Sequence, residues 1–380
     1  MSFDPLQIVI IAGEESGDQH AAKLIKQLLQ INPQLIISGI GGQHMRNAGA
    51  EIINNLAYHS VTGFTAVIRN IKVIYTAMRQ IKEHLLQRKP QVLILVDYPG
   101  FNLRLAKFAK QKLNLKIIYY ISPQIWAWKM QRIKIIQKYI DHMAVILPFE
   151  KDLYQKNHVP VSFVGHPLLD MTTTEHDIAV LKQQFKLPLD KKIIALLPGS
   201  RNNEIKYHMP VFIETIIKLN TLYADLYFII PVAKTIDIER IRKYLPDNCK
   251  NISLFTHDAV PLVACSDCVI VASGTAALEC ALLAKPMCIV YKASVLTAVI
   301  AAQVIRVKYF GLCNLLSNKM IVPELLQYDC NPKELQYVIH QLLYDTTYTN
   351  QMVSNLQILK KKLSSEQADV RLSDLVMHII

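Results

Sequence analysis

The stretch IIALLPGSRNNE, residues 193–204, decides the fold: five apolar residues in succession, then Pro198 and Gly199, then a polar run able to open a helix. An unbroken apolar run of this length reads as a strand buried on both faces, and the punctuation behind it as a strand-to-helix turn. The same grammar recurs in CVIVASGTAALE (268–279) and QVLILVDYPG (91–100). Further runs rich in Ile and Val stand at Gln7 to Ile11, Leu35 to Ser38, Lys116 to Tyr120, His142 to Leu147 and Ser162 to Val164, with helical segments between them. After a polar stretch, Met171 to His176, the series restarts with Ile193 to Leu197, Leu226 to Ile230, Ile252 to Phe255, Cys268 to Ala272 and Met287 to Tyr291. Strands alternating with helices predict an α/β protein with two Rossmann-like parallel-sheet domains. Beyond Asn331 the reading is helical, including Pro332 to Tyr344.

A chain of 380 residues suits two cores, and 51% hydrophobic against 19% charged residues argues against disorder. The net charge of +12 is uneven: 20 Lys and Arg stand against 11 Asp and Glu up to Asp170, and 22 against 19 beyond it. A basic first half favours an anionic partner, whether nucleic acid, a phosphorylated ligand or an anionic membrane. The N-terminus has no basic region before its apolar run, so it reads as a cytoplasmic protein rather than a secreted one. The longest uncharged apolar candidate, Ala293 to Ile305, is too short to span a bilayer. Cys265 and Cys268 form a CxxC, but with no second pair they read as core thiols.

Open parallel sheets bind ligands beyond the carboxyl ends of their strands, so the turns carry the functional reading. After the first strand, Gly13 and Gly17 allow close backbone approach, Glu14 lies between them, and Ser16 or Asp18 is placed to cap the next helix. GxGxxG is absent, which counts against a dinucleotide site. In the second domain, free backbone N–H groups at Ser200 beside Arg201 and Glu204 suit a phosphate, as does the turn Ser273-Gly274-Thr275. Glu279, one turn further in, suits ribose hydroxyls. The alternative is that Ser200 and Thr275 only cap helices. Asp97 follows a wholly apolar strand, so its charge emerges at the binding edge, as a chemical group or as a turn organiser. No Asp-x-Asp occurs, so a carboxylate-held divalent metal is not expected.

From Val61 to Leu85 one helical stripe runs through Phe64, Val67, Ile68, Ile71, Ile74, Tyr75, Met78, Ile81 and Leu85, interrupted by Arg69, Lys72, Arg79 and Lys82. Such a pattern suits either a core helix or a basic helix lying on an anionic membrane surface. A second basic stretch, Lys129, Arg132, Lys134 and Lys138, follows Trp126 and Trp128. No RNA-binding signature is present, and nucleic acid is not the expected partner.

The segments AGEESGD (Ala12 to Asp18), GIGG (Gly39 to Gly42), DYPGFNLRLAK (Asp97 to Lys107), YISPQIWAWK (Tyr120 to Lys129), LPFE (Leu147 to Glu150), VGHPL (Val164 to Leu168), LLPGSR (Leu196 to Arg201), SGTAALE (Ser273 to Glu279) and NLL (Asn314 to Leu316) together resemble the lipid A disaccharide synthases, inverting glycosyltransferases of the GT-B fold. The resemblance spans most of the chain. It implies two domains facing a central cleft: residues 1–170 for the acceptor and the membrane, and 171–349 for UDP, with a C-terminal helix of about 350–380 packing on the first. It implies transfer of 2,3-diacylglucosamine from UDP to 2,3-diacylglucosamine 1-phosphate at the inner membrane, with no cofactor and no metal, and it allows a homodimer. Asp97 is then the base, Gly13, Glu14, Ser16, Gly17, Ser200, Arg201, Glu204, Ser273, Gly274, Thr275, Glu279 and Asn314 serve the donor, and Gly165 and His166 the hinge. Phe64, Val67, Ile68, Ile71 and Ile74 face acyl chains or membrane. Thr62, Ala66 and Cys313 depart from the family pattern, which usually has Met, Glu and Pro there. Rival readings are another UDP-N-acetylglucosamine-dependent enzyme of the same fold and a non-catalytic lipid- or nucleotide-binding protein.

Overall fold

The computed structural model describes residues 5–56, 71–128, 130–169, 177–233, 235–246, 250–294 and 308–380. By internal contacts the chain divides into two units, Met1–Pro167 with Leu363–Ile380, and Leu168–Lys362.

Unit 1 is built on a seven-stranded parallel sheet. Its strands are β1 (Gln7–Ala12), β2 (Ile36–Ile40), β3 (Glu51–Asn54), β4 (Val92–Val96), β5 (Lys116–Tyr120), β6 (His142–Val145) and β7 (Val161–Phe163), in the order β3-β2-β1-β4-β5-β6-β7. In β1, Ile8, Ile10 and Ala12 enter one core while Val9 and Ile11 enter another on the opposite face. This explains the unbroken apolar run, because alternate side chains point to opposite faces and helices cover both. One face carries Leu24, Ile25 and Leu28 of the helix Glu15–Ile31 together with Leu372, Leu375 and Val376 of Leu372–Ile379. The other carries Ala77, Ile81 and Leu85 of Ile71–Arg88 and Leu105, Ala106 and Ala109 of Pro99–Leu113.

The chain end is tied to unit 1 by the His166 amide, which donates to the Leu363 carbonyl at 3.1 Å, and by Asp369, which accepts from the Phe163 amide at 2.8 Å. The preceding helix Thr346–Leu363 lies almost wholly in unit 2, where Met352 Sδ accepts from the Met287 amide. Of residues 350–380, those up to Lys362 group with unit 2 and those from Leu363 with unit 1.

Unit 2 repeats the plan with six parallel strands: β8 (Lys192–Leu197), β9 (Leu226–Pro231), β10 (Ile252–Phe255), β11 (Cys268–Ala272), β12 (Met287–Tyr291) and β13 (Glu324–Leu326), ordered β10-β9-β8-β11-β12-β13. In each sheet the order reverses beside the first strand, between β1 and β4 and between β8 and β11. Such switch points open a crevice at the carboxyl ends. The turns after β1, β4, β8 and β11 are the four that the sequence singles out.

Candidate active site

Asp97 and Tyr98 follow β4 with φ of 44° and 47°, both left-handed, in a sharp strand-to-helix turn completed by Pro99 in the first turn of the next helix. Neither residue is a glycine, and such conformations cost about 1–3 kcal/mol each unless the surroundings impose them. Here they do. Asn102 Nδ2, buried one turn into the helix, donates to the carbonyls of Val96 (3.1 Å) and Asp97 (2.7 Å), and the Tyr119 hydroxyl donates to the Asp97 carbonyl at 2.6 Å. The Asp97 amide donates to Tyr120 of β5 at 3.0 Å. With its backbone fixed from three sides, the carboxyl is pushed up to about 6 by burial, with the Glu14 carboxylate adding to the shift and the Tyr98 amide opposing it. A carboxylate raised this far is a stronger base than a solvated one and is still ionised at neutral pH.

Gly13 is buried, and a Cβ there would lie 2.3 Å from the Tyr98 ring, so only glycine lets the turn after β1 lie against the turn after β4. Gly17 is buried under the same strands, while Ser16 is exposed. The first helix begins after Glu14 without a side-chain cap, so neither Ser16 nor Asp18 caps it. Asp18 instead reaches across to the next helix, Gln43–Asn47, and accepts from the amides of Gly42 (2.7 Å), His44 (2.9 Å) and Met45 (3.1 Å). Glu15, Asp18 and His44 bring possible metal-ligand atoms within 4.8 Å of one another, but Asp18 is committed to these amides and His44 to Glu15.

The sequence reading passed over Glu150. It is 1% exposed, its Oε1 accepts from Trp126 Nε1 at 3.1 Å and its Oε2 has no hydrogen-bond partner among the described residues. Burial pushes this carboxyl up to about 8, against the Trp126 contact, with Asp97 adding to the rise. The strand order β4-β5-β6 explains the juxtaposition, because Asp97 and Glu150 follow strands two places apart. A lone Glu in LPFE gives no signal of this until the sheet order is known.

In unit 2 the turn after β8 corrects one expectation. The amides of Ser200 and Arg201 are not free: Glu204 Oε2 accepts from them at 2.9 and 3.1 Å, and Arg201 Nη1 donates to Glu204 Oε1 at 3.3 Å. Glu204 closes a capping box on the helix Asn202–Asn220, so the turn offers an incoming anion the exposed Arg201 side chain rather than its backbone. The turn after β11 differs. Ser273 is tied to β12 through its amide, Gly274 at φ 155° is the N-cap of the helix Thr275–Leu282 with no side-chain cap, and a Cβ on Gly274 would meet open space. An uncapped, exposed helix start attracts anions through its unpaired amides and its dipole. Glu279 is half-buried in the same helix, its carboxyl raised by burial and by Asp258.

Asn314 is a second correction. It is wholly buried, its Oδ1 accepts from the amides of Ile321 (2.7 Å) and Val322 (3.0 Å), and its Nδ2 donates to Val322 O and Glu324 Oε1, both at 2.8 Å. Its side-chain capacity is spent on setting the path into β13. Gly165 takes φ 81°, and His166 beside it is pushed down to about 3 by burial and the charge of His20; both stand just before the boundary at Pro167.

Of the membrane and acyl assignments, Phe64, Val67 and Ile68 lie in 57–70, outside the described residues. The side chain of Ile71 is likewise not described. Ile74 packs on the core of unit 1, with Met78, Ile81 and Leu85 behind it, so these four form a core face rather than a membrane face, while Tyr75 of the same stripe is 73% exposed. No helix among the described residues is long and apolar enough to cross a membrane.

Residues 8–376 match the lipid-A-disaccharide synthetase family. The chain is 52% identical to lipid-A-disaccharide synthase 1 of Legionella pneumophila (strain Paris), over 98% of this chain and 97% of the relative. It is 39% identical to the lipid-A-disaccharide synthase of Coxiella burnetii (strain CbuK_Q154), covering 98% of each. Among solved structures, the UDP co-structure of S. aureus MnaA superposes with a TM-score of 0.64 at 13% identity, over 99% of this chain and 98% of that one. The calicheamicin glycosyltransferase CalG4 gives 0.62 at 11%, with 99% and 98% covered. These two share the fold of this chain, two Rossmann-like parallel sheets of the GT-B type. Match length and identity agree that the chain belongs to the lipid-A-disaccharide synthetase family.

Proposed function

We propose that this hexosyltransferase of lipid A biosynthesis moves 2,3-diacylglucosamine from its UDP ester to the 6-hydroxyl of 2,3-diacylglucosamine 1-phosphate, with Asp97 as the base. The observation that carries the assignment is the Asp97 turn: a carboxylate raised to about 6, on a backbone imposed by Asn102 and Tyr119, at a switch point. The acceptor oxygen attacks the anomeric carbon as its proton passes to the Asp97 carboxylate. The bond from that carbon to the UDP phosphate breaks, and one displacement inverts the centre. UDP leaves with its negative charge held by the helix start at Gly274 and Thr275 and by Arg201, and Glu279 takes the ribose hydroxyls. Donor binding falls to unit 2 and proton removal to unit 1. Both substrates carry acyl chains, and the apolar and basic residues of 61–70, Phe64, Val67, Ile68 and Arg69 among them, give peripheral attachment to an anionic inner-membrane surface.

Purified protein incubated with the two acylated substrates is expected to release UDP and disaccharide at the same rate with and without chelator. Absence of product would overturn the reading, and loss of activity in chelator would overturn the metal-free mechanism.

A further inference from the structure

His208 is the seventh residue of the helix Asn202–Asn220, wholly buried and four residues after Glu204, so the two side chains share one helix face. Glu204 holds the amides of the turn after β8, and His208 holds its carbonyl. Nδ1 lies 2.7 Å from the Pro198 carbonyl oxygen, and Nε2 lies 2.9 Å from the amide nitrogen of Lys292. A carbonyl can only accept and an amide can only donate, so the ring is neutral with its proton on Nδ1. Burial, which lowers its pKa, favours that same form.

The two partners are far apart in the sheet. Pro198 follows β8 and Lys292 follows β12, and β11 lies between them in the order β8-β11-β12. The imidazole therefore bridges over the carboxyl end of β11, where Ser273 begins the other anion-binding turn and its amide donates to Val290 of β12 at 3.0 Å. Lys292 is anchored in turn, its Nζ donating to the Cys330 carbonyl at 2.8 Å. Stacking on Phe212 (6.1 Å between centroids) and an edge contact with Tyr291 (6.3 Å) fix the ring plane.

We infer that His208 is a positioning residue for the donor: its neutral ring sets the spacing between the Arg201 turn and the helix start at Thr275, so that one diphosphate engages both. The inference rests on the reading that these two turns hold UDP. A hydrophobic residue would fill the same volume but leave a buried carbonyl and a buried amide unpaired, and both turns would relax. Asn keeps an amide nitrogen near the position of Nδ1, and Gln keeps an oxygen near that of Nε2, so each preserves one of the two bonds.

The test compares His208→Leu, His208→Asn, His208→Gln and Arg201→Ala by calorimetric UDP binding, donor and acceptor KM, kcat and thermal denaturation. His208→Leu, which removes both hydrogen bonds, is expected to weaken UDP binding and raise donor KM at least about tenfold. Acceptor KM should stay within about twofold, and the Asn and Gln variants should fall between wild type and Leu. Folded His208 variants with wild-type UDP affinity, while Arg201→Ala binds weakly, would overturn the inference alone. Unchanged UDP affinity in Arg201→Ala would overturn the donor-site reading and the inference with it. Parallel losses in donor KM, acceptor KM and kcat would mark His208 as a core residue and overturn the inference. Should His208→Leu not fold, the Asn and Gln variants carry the same test.

Discussion

Asp97 shows how one residue gains its chemistry from neighbours remote in sequence. Burial and Glu14 raise its carboxyl, so it is fully ionised only well above pH 6, and under the proposed role activity should fall as pH drops through about 6. Glu14→Gln removes a negative neighbour, which lowers the Asp97 pKa, and the acid limb of kcat/KM should move to lower pH. An unmoved limb would mean that burial alone sets it. Asn314 makes the opposite case, since its oxygen and its amide nitrogen are both committed within the fold. Asn314→Ala should lower unfolding free energy by about 2–4 kcal/mol in denaturant titration, through unpaired groups at Val322 and Ile321, and leave donor KM nearly unchanged. The sequence made Asp97 legible because a charge directly after an apolar run has few places to go. It could not show Asn314's commitments, because the NLL motif does not reveal that residues seven to ten positions later fold back onto it. Glu204 misled for the same reason, a capping carboxylate filling the amides that seemed open to phosphate.

Elements were legible where burial was complete on both faces. The central strands β1, β4, β8 and β11 are unbroken apolar runs, while β3 and β13 escaped notice at the sheet edges, one half-exposed and the other only three residues long. The helix Ile71–Arg88 is the instructive element, because its stripe was open to two readings. Ile74, Met78, Ile81 and Leu85 form a core face, and Ile81→Ala should cost about 2–4 kcal/mol of stability by denaturant unfolding. Ile68→Asp tests the remaining segment: liposome sedimentation should weaken while stability holds. Unchanged sedimentation would remove residues 61–70 from the membrane account.

At the scale of the molecule, each unit places two functional turns at its own switch point, and the family reading assigns the two sets to one reaction. The charge excess before Asp170 favours an anionic partner for the first part of the chain without choosing its class. The whole account depends on Asp97 removing a proton. The measurement that tests it most directly is disaccharide formation as a function of pH, from about 5 to 8, by wild type and by Asp97→Asn of matched stability. General-base catalysis contributes about 10²–10⁴-fold, so the variant should be slower by that order, and the wild-type limb near pH 6 should be absent from it. An Asp97→Asn enzyme with wild-type rate and the same acid limb would contradict the mechanism.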